Sequence, residues 1–110
     1  MRKLYIAHPL QGGSGNMEEN VEHYLTWVAF AMELGYCVVT WVHHYLTHTR
    51  KLTDGDAEYY LTIDKELVLC CDEVWVVGDP AISNGVRFEI SVAEEAGIPV
   101  RYFKWNVYTL

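Results

Sequence analysis

Two carboxylates stand where a helix would ordinarily place apolar side chains. From Val86, steps of three, four and three reach Glu89, Ala93 and Ala96, so Glu89 falls along a small, apolar stripe. In a second helical stretch Ala57, Leu61, Asp64, Val68 and Cys71 step by four, three, four and three, with an acid at the centre. Carboxylates are seldom fully buried unless paired or used, and breaks in the apolar pattern mark functional or strained sites. The plainer alternatives are a Glu89 that reaches solvent at the stripe's edge and an Asp64 bonded to a nearby backbone group or tyrosine. If both point inward, they are the equipment of glycosyl transfer. One attacks an anomeric carbon, and the other positions a group or donates a proton.

Other residue groups carry weaker chemical signals. The stretch His8–Gly15, followed by Asn16, reads HPLQGGSGN and lies between a strand-like and a helix-like segment. Its glycines, Gly12 and Gly13 among them, let backbone N–H groups approach an anion, although a flexible turn explains them too. It matches neither the dinucleotide fingerprint nor a phosphate loop with its lysine. Ser83-Asn84-Gly85 opens the helix that carries Glu89. His43, His44 and His48 hint at zinc but lack a third-ligand pattern, so no metal and no cofactor is expected. His8 is as readily a loop anchor as a catalytic group. Tyr5, Trp41, Tyr59 and Tyr60 read first as core or interface residues, with one aromatic expected at a pocket wall.

Elements must position these residues. Lys3–Ala7, Tyr36–Val42, Glu73–Val77 and Pro99–Phe103 are short, β-branched or aromatic segments without sustained polar alternation, which is how strands buried on both faces of a parallel sheet read. Between them, Val21, Tyr24, Leu25, Val28, Ala31 and Met32 recur at helical spacing, with Asn16 and Glu19 as a capping box and Gly35 as the stop. A second helix is predicted from about Asp56 to Cys71, and a third from near Gly85 to just before Gly97. Strand–helix alternation with short links implies right-handed crossovers and an open, doubly wound α/β sheet of four to five parallel strands. Ligands of such sheets sit beyond the carboxyl ends of the strands, where His8–Gly15, His43–Gly55 and Gly78–Asn84 leave.

Composition narrows the partners. The 110 residues form one expected domain, 1–110, with 51% hydrophobic and 21% charged residues. A net charge of -7 with eight Lys+Arg argues against a nucleic-acid backbone binder, though not against a small anion held locally. The longest apolar runs, such as Val74–Val77, are too short to span a membrane, and Met1-Arg2-Lys3 leaves no room for a signal peptide. Cys37, Cys70 and Cys71 form no disulfide framework, so reduced thiols in a cytoplasmic protein are expected.

The string Ser83-Asn84-Gly85-Val86-Arg87-Phe88-Glu89-Ile90, with Ala93 and Gly97-Ile98-Pro99-Val100 behind it, resembles the signature of the nucleoside 2-deoxyribosyltransferase superfamily. Tyr5-Ile6-Ala7-His8-Pro9 with its glycine-containing loop is similar to that family's first strand and turn, and Asp64 falls eight residues before Asp72, as it does there. The resemblance reaches to about Phe103. It implies a flavodoxin-like fold, metal-free catalysis, Glu89 as nucleophile, and Asp64 assisting the departing base or holding the sugar. Six residues before the glutamate the family's transferases usually carry an Asp for the 5'-hydroxyl, and its 2'-deoxynucleoside 5'-phosphate N-hydrolases a Ser for the 5'-phosphate. Ser83 favours the nucleotide. The chain departs from the pattern in being shorter, with one extra residue between Asp72 and Ser83, and it also resembles small uncharacterised members.

The expected activity is therefore cleavage of the N-glycosidic bond of a (deoxy)nucleoside 5'-monophosphate through a glycosyl–Glu89 intermediate. Tyr5, His8, Gly12, Gly13, Ser83, Asn84, Gly85, Trp41 and His43 are the expected substrate contacts, with the glycine loop and Ser83 on the phosphate and the Trp41–Tyr45 region against the base. The alternatives are a deoxyribosyltransferase and a non-catalytic module that binds a nucleotide or an NAD-derived signal. A homodimer or larger assembly is expected, because Lys104-Trp105-Asn106-Val107-Tyr108 offers apolar side chains with little chain left to cover them. In the resembling family such a segment often completes a neighbour's pocket, which makes Asn106 a further contact to test.

Overall fold

The computed structural model describes residues 1–10, 16–41, 43 and 54–110. Its sheet contains β1 (Lys3–Ala7), β2 (Cys37–Val39), β3 (Glu73–Val77) and β4 (Val100–Phe103), all parallel, in the order β2-β1-β3-β4. The helices are α1 (Met17–Glu33), α2 (Asp54–Leu69) and α3 (Asn84–Ala96). This strand order is that of the flavodoxin-like sheet, whose direction of winding reverses between β1 and β3.

Strand alternation assigns the two faces. Tyr5 lies in register with Val74, and Ile6 with Trp75, so Tyr5, Ala7, Val74 and Val76 share one face and Leu4, Ile6, Trp75 and Val77 the other. α1 covers the Trp75 face, where Trp27 meets Trp75, Phe103 and Tyr108 at ring-centroid distances of 6.3, 5.1 and 4.5 Å. α3 covers the Tyr5 face and packs along α2.

The strands expected to be buried on both faces are so only at the centre. β1 beyond Lys3 and all of β3 are buried, whereas β2 and β4 are edge strands with exposed positions. β2 is also shorter than the expected Tyr36–Val42: the chain leaves the ladder after Val39, and Trp41 folds back to donate its indole N–H to the Ile6 carbonyl at 3.1 Å.

Helix ends follow the sequence signals. Asn16 caps α1, its side chain accepting from the Glu19 backbone N–H at 2.9 Å and donating to the Glu19 carboxylate at 3.1 Å. Gly97 closes α3 in the left-handed conformation, φ 74, that favours glycine. The inward stripe of α1 differs from the expected one. Leu25 and Met32 are exposed, and Asn20, Val21, Tyr24, Trp27 and Ala31 are buried. The indole of Trp27 fills the centre because it reaches Trp75 and Phe103 across the sheet. On α2, Tyr60, Asp64 and Val68 are buried and Ala57 is exposed.

At the amino ends of the strands, Glu73 is buried and fully engaged. It accepts from Trp75 Nε1 at 2.7 Å, Tyr36 Oη at 3.1 Å and Arg2 at 3.2 Å, with Arg101 at 3.5 Å. Burial alone would raise its pKa, but these donors and charges together lower it.

Candidate active site

Glu89 lies on the buried face of α3 and is 6% exposed. The hydroxyl of Tyr5, from the middle of β1, donates to its Oε2. Burial raises the pKa of Glu89 well above the usual carboxylate value; the Tyr5 bond opposes the rise and the negative charge of Asp64 adds to it. Tyr5 is raised as well, by burial and then by the charges of Glu89 and Asp64, so it stays a protonated donor.

Asp64 is 1% exposed at the centre of the buried face of α2. Its Oδ1 meets His43 Nε2 at 2.7 Å, and the His43 ring stands edge-on to Tyr60 at 5.5 Å. The carboxylate therefore fixes the orientation of an imidazole that lies just past β2. Tyr5, Glu89 and Asp64 thus stand in one another's fields on the Tyr5 face of the sheet, and His43 joins them through Asp64.

Ser83 is the N-cap of α3, and its Oγ accepts from the Val86 backbone N–H at 3.2 Å. That bond uses a lone pair and leaves the O–H as a donor at the positive end of the helix. Asn84 is exposed, and its side-chain oxygen accepts from the Arg87 guanidinium, which also donates to the Ala81 carbonyl. A Cβ on Gly85 would meet only Ser83 Oγ, at 3.7 Å, so the fold itself does not demand glycine there.

His8 is 4% exposed and belongs to a polar chain. Its Nδ1 lies 2.8 Å from the Pro9 carbonyl and its Nε2 2.7 Å from His23 Nδ1; His23 Nε2 lies 2.9 Å from Asn106 Oδ1. Burial is the largest influence on His8 and lowers its pKa to about 4, so the ring is neutral. A neutral His8 that bonds Pro9 carries its proton on Nδ1 and accepts at Nε2 from His23. The ring of His23 stacks on Trp105 at 3.8 Å, and Trp27 donates to the Trp105 carbonyl at 3.1 Å. Gly78, at φ 80, permits this packing, since a Cβ there would lie 2.8 Å from Trp105 Cε3.

The C-terminal aromatics correct one premise of the sequence reading. Trp105 and Tyr108 are covered by α1 of the same chain, and Asn106 bonds His23 of the same chain. Trp41 is 4% exposed, packed on Tyr24 at 4.3 Å. Gly12, Gly13, His44, Tyr45 and His48 lie outside the described residues. No described helix is long and apolar enough to cross a membrane.

Two residues that pack on His8, His23 and Tyr24, were not singled out as functional from the sequence. His23 is an outward position by helical spacing alone. Tyr24 reads as one more apolar member of the α1 stripe; its hydroxyl is the only signal, and a sequence does not say whether a hydroxyl finds a partner.

Residues 2–103 match the family DUF7768, described as a domain of unknown function. No curated protein matches the sequence. Among solved structures the chain is similar to the 2-deoxyribosyltransferase of the psychrotolerant bacterium Bacillus psychrosaccharolyticus, with a TM-score of 0.71 and 20% identity over 93% of this chain and 72% of that one. It is also similar to the CMP N-glycosidase BcmB of Clostridium botulinum, with a TM-score of 0.60 and 14% identity over 97% of this chain and 92% of that one. The flavodoxin-like fold expected from the sequence is the one shared with these two proteins.

Proposed function

We propose that this chain, which belongs to the DUF7768 family, cleaves the N-glycosidic bond of a nucleoside 5'-monophosphate and releases the free base. The observation that carries the reading is the buried Glu89, held by the Tyr5 hydroxyl and standing within the field of a second buried carboxylate, Asp64. A structural role alone gives no reason to bury two acids side by side.

The ionised Glu89 attacks C1', the electron pair of the glycosidic bond leaves with the base, and a proton reaches the base from the Asp64–His43 pair. Water then attacks C1' of the glycosyl ester and gives its proton back to the Asp64–His43 pair, which restores the Glu89 carboxylate and frees the sugar 5'-phosphate. Tyr5 leaves one carboxylate oxygen to attack while it stabilises the other. The Ser83 hydroxyl and the first backbone N–H groups of α3 hold the 5'-phosphate.

Transfer of the sugar to a second base shares the first half of this reaction, and the likeness to a 2-deoxyribosyltransferase makes it the second reading. The assembly proposed is a homodimer that covers the exposed Tyr102, Val107 and Leu110 beside the edge strand β4. Incubation with a panel of nucleotides and nucleosides, with and without an acceptor base, tests the reading by chromatography of the products. Free base from a nucleoside monophosphate supports hydrolysis, a new nucleoside or nucleotide supports transfer, and unchanged substrates throughout reject both.

A further inference from the structure

The outer edge of β4 carries no further strand among the described residues, and the ladder with β3 says which backbone groups lie on it. Val74 N–H donates to the Pro99 carbonyl and Gly78 N–H to the Phe103 carbonyl, both at 2.9 Å. Val74 stands opposite Val100, and Val76 opposite Tyr102. Arg101 and Phe103 therefore bond inward to β3. A strand residue sends its N–H and C=O to the same side, so those of Val100 and Tyr102 point outward.

Two grooves flank this edge, and Tyr102, 59% exposed, lines both. On the α3 side, one of about 440 Å³ runs past Ile90, Ser91 and Glu94. On the other side, one of about 470 Å³ separates Arg101, Tyr102 and Phe103 from Thr109 and Leu110. A strand laid along the edge would place its side chains alternately over the two grooves.

We infer that the strand that fits is β4 of a second copy, antiparallel, with Tyr102 opposite Tyr102 across a two-fold axis normal to the sheet. The inference rests on the proposed homodimer and fixes its pairing; it does not depend on the cleavage. Such an axis sets one residue opposite its own copy. Centred on Arg101, it would oppose two guanidinium groups, and like charges directly opposite destabilise a pair. Centred on either end of β4, it would leave most of the edge unpaired. Centred on Tyr102, it joins two residues whose N–H and C=O both point outward, so the pair exchanges two hydrogen bonds and brings the rings together. The same register sets Arg101 of each copy opposite Phe103 of the other, a cation on an aromatic ring. It also sets Lys104 of one copy opposite Val100 of the other, on the α3 side, where Glu94 lines the groove. In a chain of net charge -7, a basic strand end that meets an acidic groove supplies the complementarity self-association needs.

Light scattering across the micromolar range, with hydrogen exchange on the same samples, tests the pairing. Wild type should reach about twice 12.7 kDa, and the Tyr102 amide should exchange more slowly as the dimer fills. Tyr102→Pro removes the outward donor without taking a bond from β3, and should weaken the dimer by at least about tenfold. Tyr102→Lys sets like charges opposite each other and should weaken it as much. Circular dichroism separates loss of the dimer from loss of the fold, and the lysine variant carries the test where the proline variant does not fold. Glu94→Lys should also weaken the dimer, and Lys104→Glu in the same chain should restore it. A monomer at every concentration overturns both the pairing and the homodimer. A dimer that the Tyr102 variants leave intact overturns the pairing and leaves the homodimer standing.

Discussion

The hydroxyl of Tyr5 on the central strand β1 donates to Oε2 of Glu89 on α3, joining positions 84 residues apart. The bond couples the ionisation of the buried carboxylate to the sheet beneath it. Burial disfavours the charged form of Glu89, and the Tyr5 donor restores part of what burial takes away.

Tyr5→Phe removes that donor and should raise the pKa of Glu89 further. The proposed nucleophile works only as a carboxylate, so kcat/KM should climb with pH through the Glu89 pKa, and the climb should move to higher pH in the variant. A pH–rate profile of both proteins checks this. A limb that stays in place or moves to lower pH contradicts Tyr5 as the partner that tunes Glu89.

Glu89→Gln keeps the shape and removes the nucleophile. Base release should fall by far more than tenfold, a loss well above about 1.4 kcal/mol of transition-state stabilisation. Stability should move the other way. The folded pKa of Glu89 lies above its unfolded value, so its contribution is fully present below the unfolded pKa and is lost as pH rises through the folded one. Glu89→Gln should therefore melt higher than wild type at pH 8, with a smaller gain at pH 5. Retained activity would mean that another group attacks.

Ser83→Asp should change what the site accepts. The Ser83 hydroxyl, with its lone pair engaged by Val86 N–H, can give one charge-assisted bond to a phosphate, worth roughly 1.5–3 kcal/mol. An aspartate removes the donor and repels the phosphate while still accepting from a 5'-hydroxyl. The kcat/KM for the nucleoside monophosphate should drop by at least about tenfold, with activity on the matching nucleoside spared or raised. An unchanged ratio of the two rates would remove Ser83 from the phosphate site.

Acidification should weaken the fold through His8. Its folded pKa of about 4 lies below the model-peptide value of 6.5, so the unfolded chain binds the extra proton first. Stability is full above about pH 6.5 and falls as pH approaches 4, by up to about 3 kcal/mol from this group alone. Glu73, whose pKa is lowered, adds its own loss as pH falls through the ordinary carboxylate range, while Glu89, whose pKa is raised, acts in the opposite direction. Urea unfolding at pH 7.5 and 4.5 should show His8→Asn gaining stability relative to wild type on acidification, since Glu89 acts alike in both proteins. An equal change in both would place the sensitivity elsewhere.

The elements and the two acids were legible in the residues themselves. β1 and β3 were bounded as found because an uninterrupted apolar segment can only be a covered strand here. Asn16, Gly97 and the steps of three and four placed the helices, and they also put Asp64 and Glu89 on inward stripes. All of these signals are local, carried within a turn or two of chain. What the fold alone decided is which stripes meet. Tyr5 with Glu89, His43 with Asp64 and His23 with Asn106 are brought together by crossovers that carry the chain over the sheet and back. Helical spacing likewise gave Tyr24 a buried side but not an orphan hydroxyl, because satisfaction depends on every other element that packs against it. Periodicity fixes the face a side chain takes; the partner on that face is a property of the tertiary structure.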